Sequence, residues 1–160
     1  MNQKSFSRPL DLKQVKITDS FWGREQELVR REVIPYQWDA LNDRVPGAAP
    51  SWCMHNFRAA ARLQQRKTAD KNFVPPVYAA SGFETSPASP EEANPDAFYG
   101  FVFQDTDFSK WIEAVGYSLA QHPDAELEKL ADGAIDVVCA AQDDNGYLDT
   151  YFLLNGMDKA

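Results

Sequence analysis

Two apolar stripes in the C-terminal third constrain this chain most. Phe108, Trp111, Ile112, Val115 and Leu119 recur at i, i+3, i+4, i+7 and i+11, the spacing of one face of an amphipathic helix. Leu127, Leu130, Ala131, Ala134, Ile135, Val138 and Ala141 form a second stripe of the same period. Only His122-Pro123-Asp124 lies between the two. A link this short makes the helices antiparallel neighbours, an αα-hairpin. Asp143-Asp144-Asn145-Gly146 then stops the second helix. The chain is therefore expected to be mostly α, built from antiparallel helical hairpins.

The remaining segments fit that frame. Pro9 keeps the start out of a helix, and Leu10, Leu12, Val15 and Ile17 alternate loosely with polar residues. This predicts a short extended lead-in with weak strand character. Thr18, Asp19 and Ser20 are all helix-capping types, so a first helix starts near Ser20, runs to Ile34 and stops at Pro35. Tyr36-Gln37-Trp38 opens a short segment through Leu41, ended by Pro46-Gly47. A third helix covers Trp52 to Arg66, with Met54, Phe57, Ala60 and Ala61 on its apolar side and Arg58, Arg62, Arg66 and Lys67 on its wet side. Residues 68–97 read as an irregular Pro-rich loop, because five of the ten prolines fall between Pro75 and Pro95. So long a loop is a lid, a binding loop or a flexible insertion. Phe98 to Phe103 reads as a buried strand or an extended wall, and Asp107 as the best N-cap for the helix after it.

Composition narrows the function. A chain of 160 residues fits one domain and can bury about 70% of its unfolded surface. No apolar run is long enough to span a membrane. Met1 to Leu10 contains no secretory signal, which makes the cytoplasm the default location. The net charge of −8 argues against nucleic acid as a partner. Residues 1–80 carry 13 Lys+Arg and 8 Asp+Glu, and residues 81–160 carry 3 and 16, so the excess of acid lies in the second half. That asymmetry reads either as a basic half packed beside an acidic one, or as an acidic mouth suited to a neutral polyhydroxy ligand or a cation.

The hairpin puts the start of its first helix beside the end of its second. Gln104, Asp105 and Asp107 are thereby expected near Asn145, Tyr147 and Asp149. Carboxylates, an amide and a ring at one mouth suit a sugar, whose hydroxyls take hydrogen bonds and whose apolar face takes a ring. Asp105 and Asp107 could form an acid/base pair, but Asp107 reads better as a cap, and Asp105 stays open between the two. Gln37 is either a ligand hydrogen-bonder or a buried amide satisfied by backbone. His55 and His122 lack partners at ligand spacing, so no metal site is expected. Cys53 and Cys139 are too few for a disulfide scaffold and read as buried thiols. No phosphate-loop, dinucleotide or nucleophile-elbow motif occurs, and no catalytic residue is assigned.

An ordered set of segments resembles one family. Val15-x-Ile17-x-Asp19-x-Phe21-Trp22, Ile34-Pro35-Tyr36-Gln37-Trp38, Asn56-Phe57-Arg58-x-Ala60 and Phe103-Gln104-Asp105-x-Asp107-x-x-Lys110-Trp111-x-Glu113-Ala114 occur in that order. Pro123-Asp124-x-Glu126-Leu127 and Ala141-Gln142-x-x-Asn145-Gly146-Tyr147-Leu148-x-Thr150-Tyr151 follow. The set is similar to the N-terminal part of glycoside hydrolase family 127, the β-L-arabinofuranosidase family. The resemblance implies part of an (α/α)6 toroid. It also implies a retaining glycosidase of β-linked L-arabinofuranose with a zinc-bound cysteine nucleophile and a glutamate acid/base. Those groups lie in the family's second half, so zinc is expected in the full-length parent and none bound by this chain. Of the residues present, the resemblance places Gln37 and Asp105 by the sugar pocket. The sequence ends at Asp158-Lys159-Ala160, where further hairpins are implied, so an N-terminal fragment inactive by itself is expected. Two alternatives are another (α/α)6 carbohydrate-active enzyme, such as an unsaturated-uronyl hydrolase, and a helical interaction module that self-associates through unpaired helix faces.

Overall fold

Six α-helices run through the described residues, 7–76 and 86–156, of the computed structural model. They are α1 Ser20–Leu28, α2 Ile34–Leu41, α3 Cys53–Ala69, α4 Thr106–Gln121, α5 Ala125–Ala141 and α6 Thr150–Asn155. No strand occurs among them. The lead-in is irregular apart from one 3-10 turn, Leu12–Gln14, capped by the Asp11 carboxylate. Its apolar side chains have no sheet to join and stay exposed. The middle of the predicted irregular loop, residues 77–85, lies outside the described residues.

The first helix starts where its cap predicts. Asp19 Oδ1 accepts from the Phe21 and Trp22 amides at 3.1 and 2.8 Å, satisfying donors that a helix start leaves orphaned. It does not stop at Pro35. The backbone widens into a π turn over Val29–Val33, with the Ile34 N–H donating to the Val29 carbonyl. Pro35 then sits in the first turn of α2, directly after this widened turn. The widened turn is what lets the helical path run on through the proline.

The hairpin forms as its stripes require. Asp124 caps α5 through the Glu126 and Leu127 amides, each at 3.1 Å. On α4, Phe108, Trp111 and Val115 are buried. On α5 the stripe splits: Ala131, Ala134 and Ala141 are buried, whereas Leu130 and Ile135 are exposed. The small buried residues let α5 lie close along α3, on which it packs more extensively than on α4. The main core joins Phe57, Met54 and Cys53 of α3 to Trp111 and Phe108 of α4, with Ile34 and Leu41 from α2 and Leu153 and Leu154 from α6. Trp111 stacks on Trp38 with ring centroids 4.4 Å apart, and its Nε1–H donates to the Ile34 carbonyl at 3.1 Å.

Phe98 to Phe103 forms neither a strand nor a wall. Phe98 and Tyr99 are buried, but the chain turns at Gly100 (φ 90°) and leaves Phe101, Val102 and Phe103 exposed. The reason is the buried Asn56 of α3. Its amide donates to the Tyr99 carbonyl at 2.8 Å and its oxygen accepts the Tyr99 N–H at 3.1 Å. One side chain thereby replaces the ladder partner a strand would need. Arg62 and Arg66 continue the strap through Asp96 at 3.0 and 2.8 Å.

The cysteines divide. Cys53 is buried, and burial pushes its thiol up to about 12. Cys139 is exposed, contrary to expectation, because it falls on the outer side of α5. No helix among the described residues is long and apolar enough to cross a membrane.

Candidate functional site

The expected mouth exists but separates into two parts. In the first, Asp105 sits at the N-cap position of α4, in place of the predicted Asp107, yet it makes no capping bond. Its carboxylate reaches across to α6 instead. Oδ2 accepts the Thr150 N–H at 2.7 Å and Oδ1 the Thr150 hydroxyl at 2.6 Å. Burial raises the Asp105 carboxyl above the usual range, the two Thr150 bonds oppose that, and the nearby Asp149 charge adds to it. Asp149 itself caps α6 through the Tyr151 and Phe152 amides. Asp105, Tyr147, Asp149 and Thr150 thus gather at the joined starts of α4 and α6, as the hairpin geometry predicts for the first three. Asn145 is not drawn in; its side chain accepts from the Tyr147 amide two residues on.

In the second part, Asp107 turns the other way. Its oxygens accept from Gln104 Nε2 at 3.1 Å and pair with Lys110 Nζ at 3.0 Å. Asp107 and Lys110 border a cleft of about 260 Å³ between α2 and α4. Trp111 and Leu41 form its apolar walls, and Gln37, Ser51, Asp107 and Lys110 supply polar atoms. The Gln37 side chain is exposed, and no described residue hydrogen-bonds its amide. The buried-amide reading of Gln37 therefore does not hold. The cleft offers an open amide, a hydroxyl, an ammonium and a carboxylate, which is chemistry for a polyhydroxy ligand.

Gln37 and Asp105 consequently stand in different parts of the mouth. A larger and more apolar hollow, about 330 Å³, lies between α1 and α4 against Ile17, Trp22, Val29 and Tyr117. It shares no wall residue with the Gln37 cleft, and Glu25, Gln26 and Arg30 stand on its polar rim. No group of three His, Cys, Asp or Glu among the described residues could hold a metal ion. His55 is committed to the Ala97 carbonyl, at 3.0 Å, and burial lowers its basicity.

Sequence reasoning missed Ser51, Lys110 and Thr150 as site residues. Lys110 had a signal, standing three residues after Asp107 on one helix face. Ser51 had none, lying in the loop between α2 and α3, and Thr150, though part of a family-like segment, meets Asp105 only through the long-range packing of α6 on the start of α4.

Paired antiparallel helices around an open polar cleft define the class: a portion of an all-helical domain, consistent with part of an (α/α)6 toroid. The family model for the β-L-arabinofuranosidase GH127 catalytic domain matches residues 14–160. The chain belongs to the GH127 family. It is 35% identical over 136 residues to the non-reducing end β-L-arabinofuranosidase of Bifidobacterium longum subsp. longum, covering 85% of this chain and 18% of that protein. It superposes on a GH127 β-L-arabinofuranosidase crystal structure from Geobacillus stearothermophilus with a TM-score of 0.64 and 42% identity. That match covers 87% of this chain and 17% of the other. A second solved GH127 β-arabinofuranosidase gives a TM-score of 0.64 at 28% identity, over 91% of this chain and 17% of that one. The chain thus spans less than a fifth of these relatives' length.

Proposed function

We propose that this chain forms part of the sugar pocket of a β-L-arabinofuranosidase-like glycoside hydrolase domain acting on arabinose-containing glycans. In this reading Gln37 hydrogen-bonds sugar hydroxyls from the α2 side. Asp105 borders the pocket at the start of α4, where its oxygens keep lone pairs after binding Thr150. The open Gln37 amide in a polar cleft carries the reading, with the family match behind it.

A retaining glycosidase needs an acid/base and a nucleophile flanking the scissile bond. No side chain here is assigned either role. Cys53 is buried with a thiol pushed up to about 12, which disfavours the thiolate. The described residues also do not fit a zinc centre. In this proposal zinc and both catalytic groups come from family residues outside this chain. The bare apolar faces further supply a route to self-association.

The test assays the 160 residues on an aryl β-L-arabinofuranoside with zinc present, beside ligand-observed NMR with methyl β-L-arabinofuranoside. The expected result is binding without turnover, with Gln37→Ala weakening the binding. Turnover above buffer overturns the missing-chemistry part, and absence of binding overturns the pocket.

A further inference from the structure

The loop between α2 and α3 is held in an unusual way. Asp43 and Trp52, at its two ends, are the only non-glycine residues with positive φ among the described residues, at 60° and 63°. Side chains disfavour this left-handed region, so its use at both ends of one loop needs something to hold it. One oxygen atom does so. Asp43 Oδ1 accepts the Ser51 N–H at 2.6 Å and the Trp52 N–H at 3.0 Å. Trp52 is buried against Tyr99, ring centroids 4.8 Å apart, which anchors the far end.

The other oxygen of this carboxylate is left over. No described residue donates to Asp43 Oδ2. Arg58, the nearby cation, gives its hydrogen bond to Asn42 Oδ1 instead. Asp43 stands on the wall of a hollow of about 540 Å³ between this loop and the turn at Pro90. Val45, Gly47 and Pro90 give that hollow small apolar surfaces, and Ser51 and Ser89 add hydroxyl-bearing residues. The hollow adjoins the Gln37 cleft, for Ala40 and Ser51 line both.

We propose that this hollow is a subsite for the second sugar unit of the glycan, with Asp43 Oδ2 accepting its hydroxyl hydrogens. The inference rests on the Gln37 cleft being the arabinofuranose site. A carboxylate whose one oxygen is locked by two backbone amides presents the other in a fixed direction, and so binds a hydroxyl without first being ordered. The hollow's size is that of a small-molecule site, and its few polar groups among apolar walls suit a pentose ring. A cation is a poor fit, since no second acidic, histidine or cysteine residue among the described residues stands on that wall with Asp43.

Asp43→Asn tests this. Its amide oxygen can still accept from Ser51 and Trp52, and asparagine tolerates the left-handed region, but an N–H₂ donor replaces the open acceptor. Dissociation constants are measured by NMR for methyl β-L-arabinofuranoside and for a disaccharide of two β-linked L-arabinofuranose units. The native chain is expected to favour the disaccharide by about tenfold. In Asp43→Asn that ratio falls to near one while the melting temperature holds. In Gln37→Ala both ligands weaken and the ratio survives. If the native chain binds both ligands equally, or if Asp43→Asn keeps the preference, the subsite is overturned and the Gln37 cleft stands. If neither ligand binds, both are overturned.

Discussion

The α3–α4–α5 region and the α1 region draw on the same residue types and use them in opposite ways. Trp111 of α4 is 1% exposed, stacked on Trp38 and bonded through its ring N–H. Trp22 of α1 is 61% exposed and touches Phe21 edge-on, at 5.0 Å between centroids. No residue of α1 is buried. That helix is held locally, by the Asp19 cap and its continuity with α2. The Glu27 carboxylate just before the π turn is likewise served by near neighbours: hydrogen bonds from Arg30 and Arg31 pull it down to about 2. The lesson is that an aromatic residue stabilises a helix only when a second element packs against it. Opposite Trp22 stands α4, but a hollow of about 330 Å³ separates the two helices, so the aromatic side chains of α1 contribute area without burial.

Substitutions can break or sharpen this contrast. Trp111→Ala empties the centre of the main core and should cost about 3–5 kcal/mol in chemical denaturation, the largest effect expected. Asn56→Ala strands the Tyr99 backbone pair and should cost about 2–3 kcal/mol, with loss of protection at the Tyr99 amide in hydrogen exchange. Asp105→Ala leaves the Thr150 amide and hydroxyl without an acceptor, for about 2 kcal/mol. Asp105→Asn adds a pH signature. Burial holds this carboxyl above its unfolded value, so its protonated form is favoured in the fold. It therefore adds stability at low pH that is lost as pH rises through the folded value. Melting curves between about pH 3 and pH 7 should show the native chain losing ground to the asparagine variant as pH increases. Trp22→Ala should move stability by no more than about 0.5 kcal/mol. A loss comparable to that of Trp111→Ala would erase the distinction between the two regions.

Much of the helical frame was legible because period and capping speak locally. Asp19 and Asp124 mark helix starts by side chains two and three residues away, and the α4–α5 stripes need no other element to be recognised. What failed was governed from a distance. Phe98 to Phe103 has a strand's composition, but Asn56, more than forty positions earlier, takes its backbone partners. Asp105 has a cap's position, but Thr150 claims its carboxylate. Cys139 falls within an apolar pattern, yet burial on α5 follows the alanines facing α3. The short α6 had a readable cap in Asp149 followed by too few residues to show a period. Of the site, Gln37 and Asp105 were candidates by residue type and were placed by the pocket through resemblance, and Asp43 was not singled out.

The π turn at Val29–Val33 also sets the aim of everything after it. Each residue in a helix advances the side-chain direction by about 100°. The wide turn takes up extra chain, so the side chains of α2 leave it on a different azimuth from those of α1. Removing one residue from 29–33 could restore an ordinary spiral, at the expense of swinging Gln37 by roughly a quarter circle or more relative to α1. The amide that opens onto the cleft is thus pointed there by an irregularity several residues upstream, and a more perfect helix would make a worse pocket.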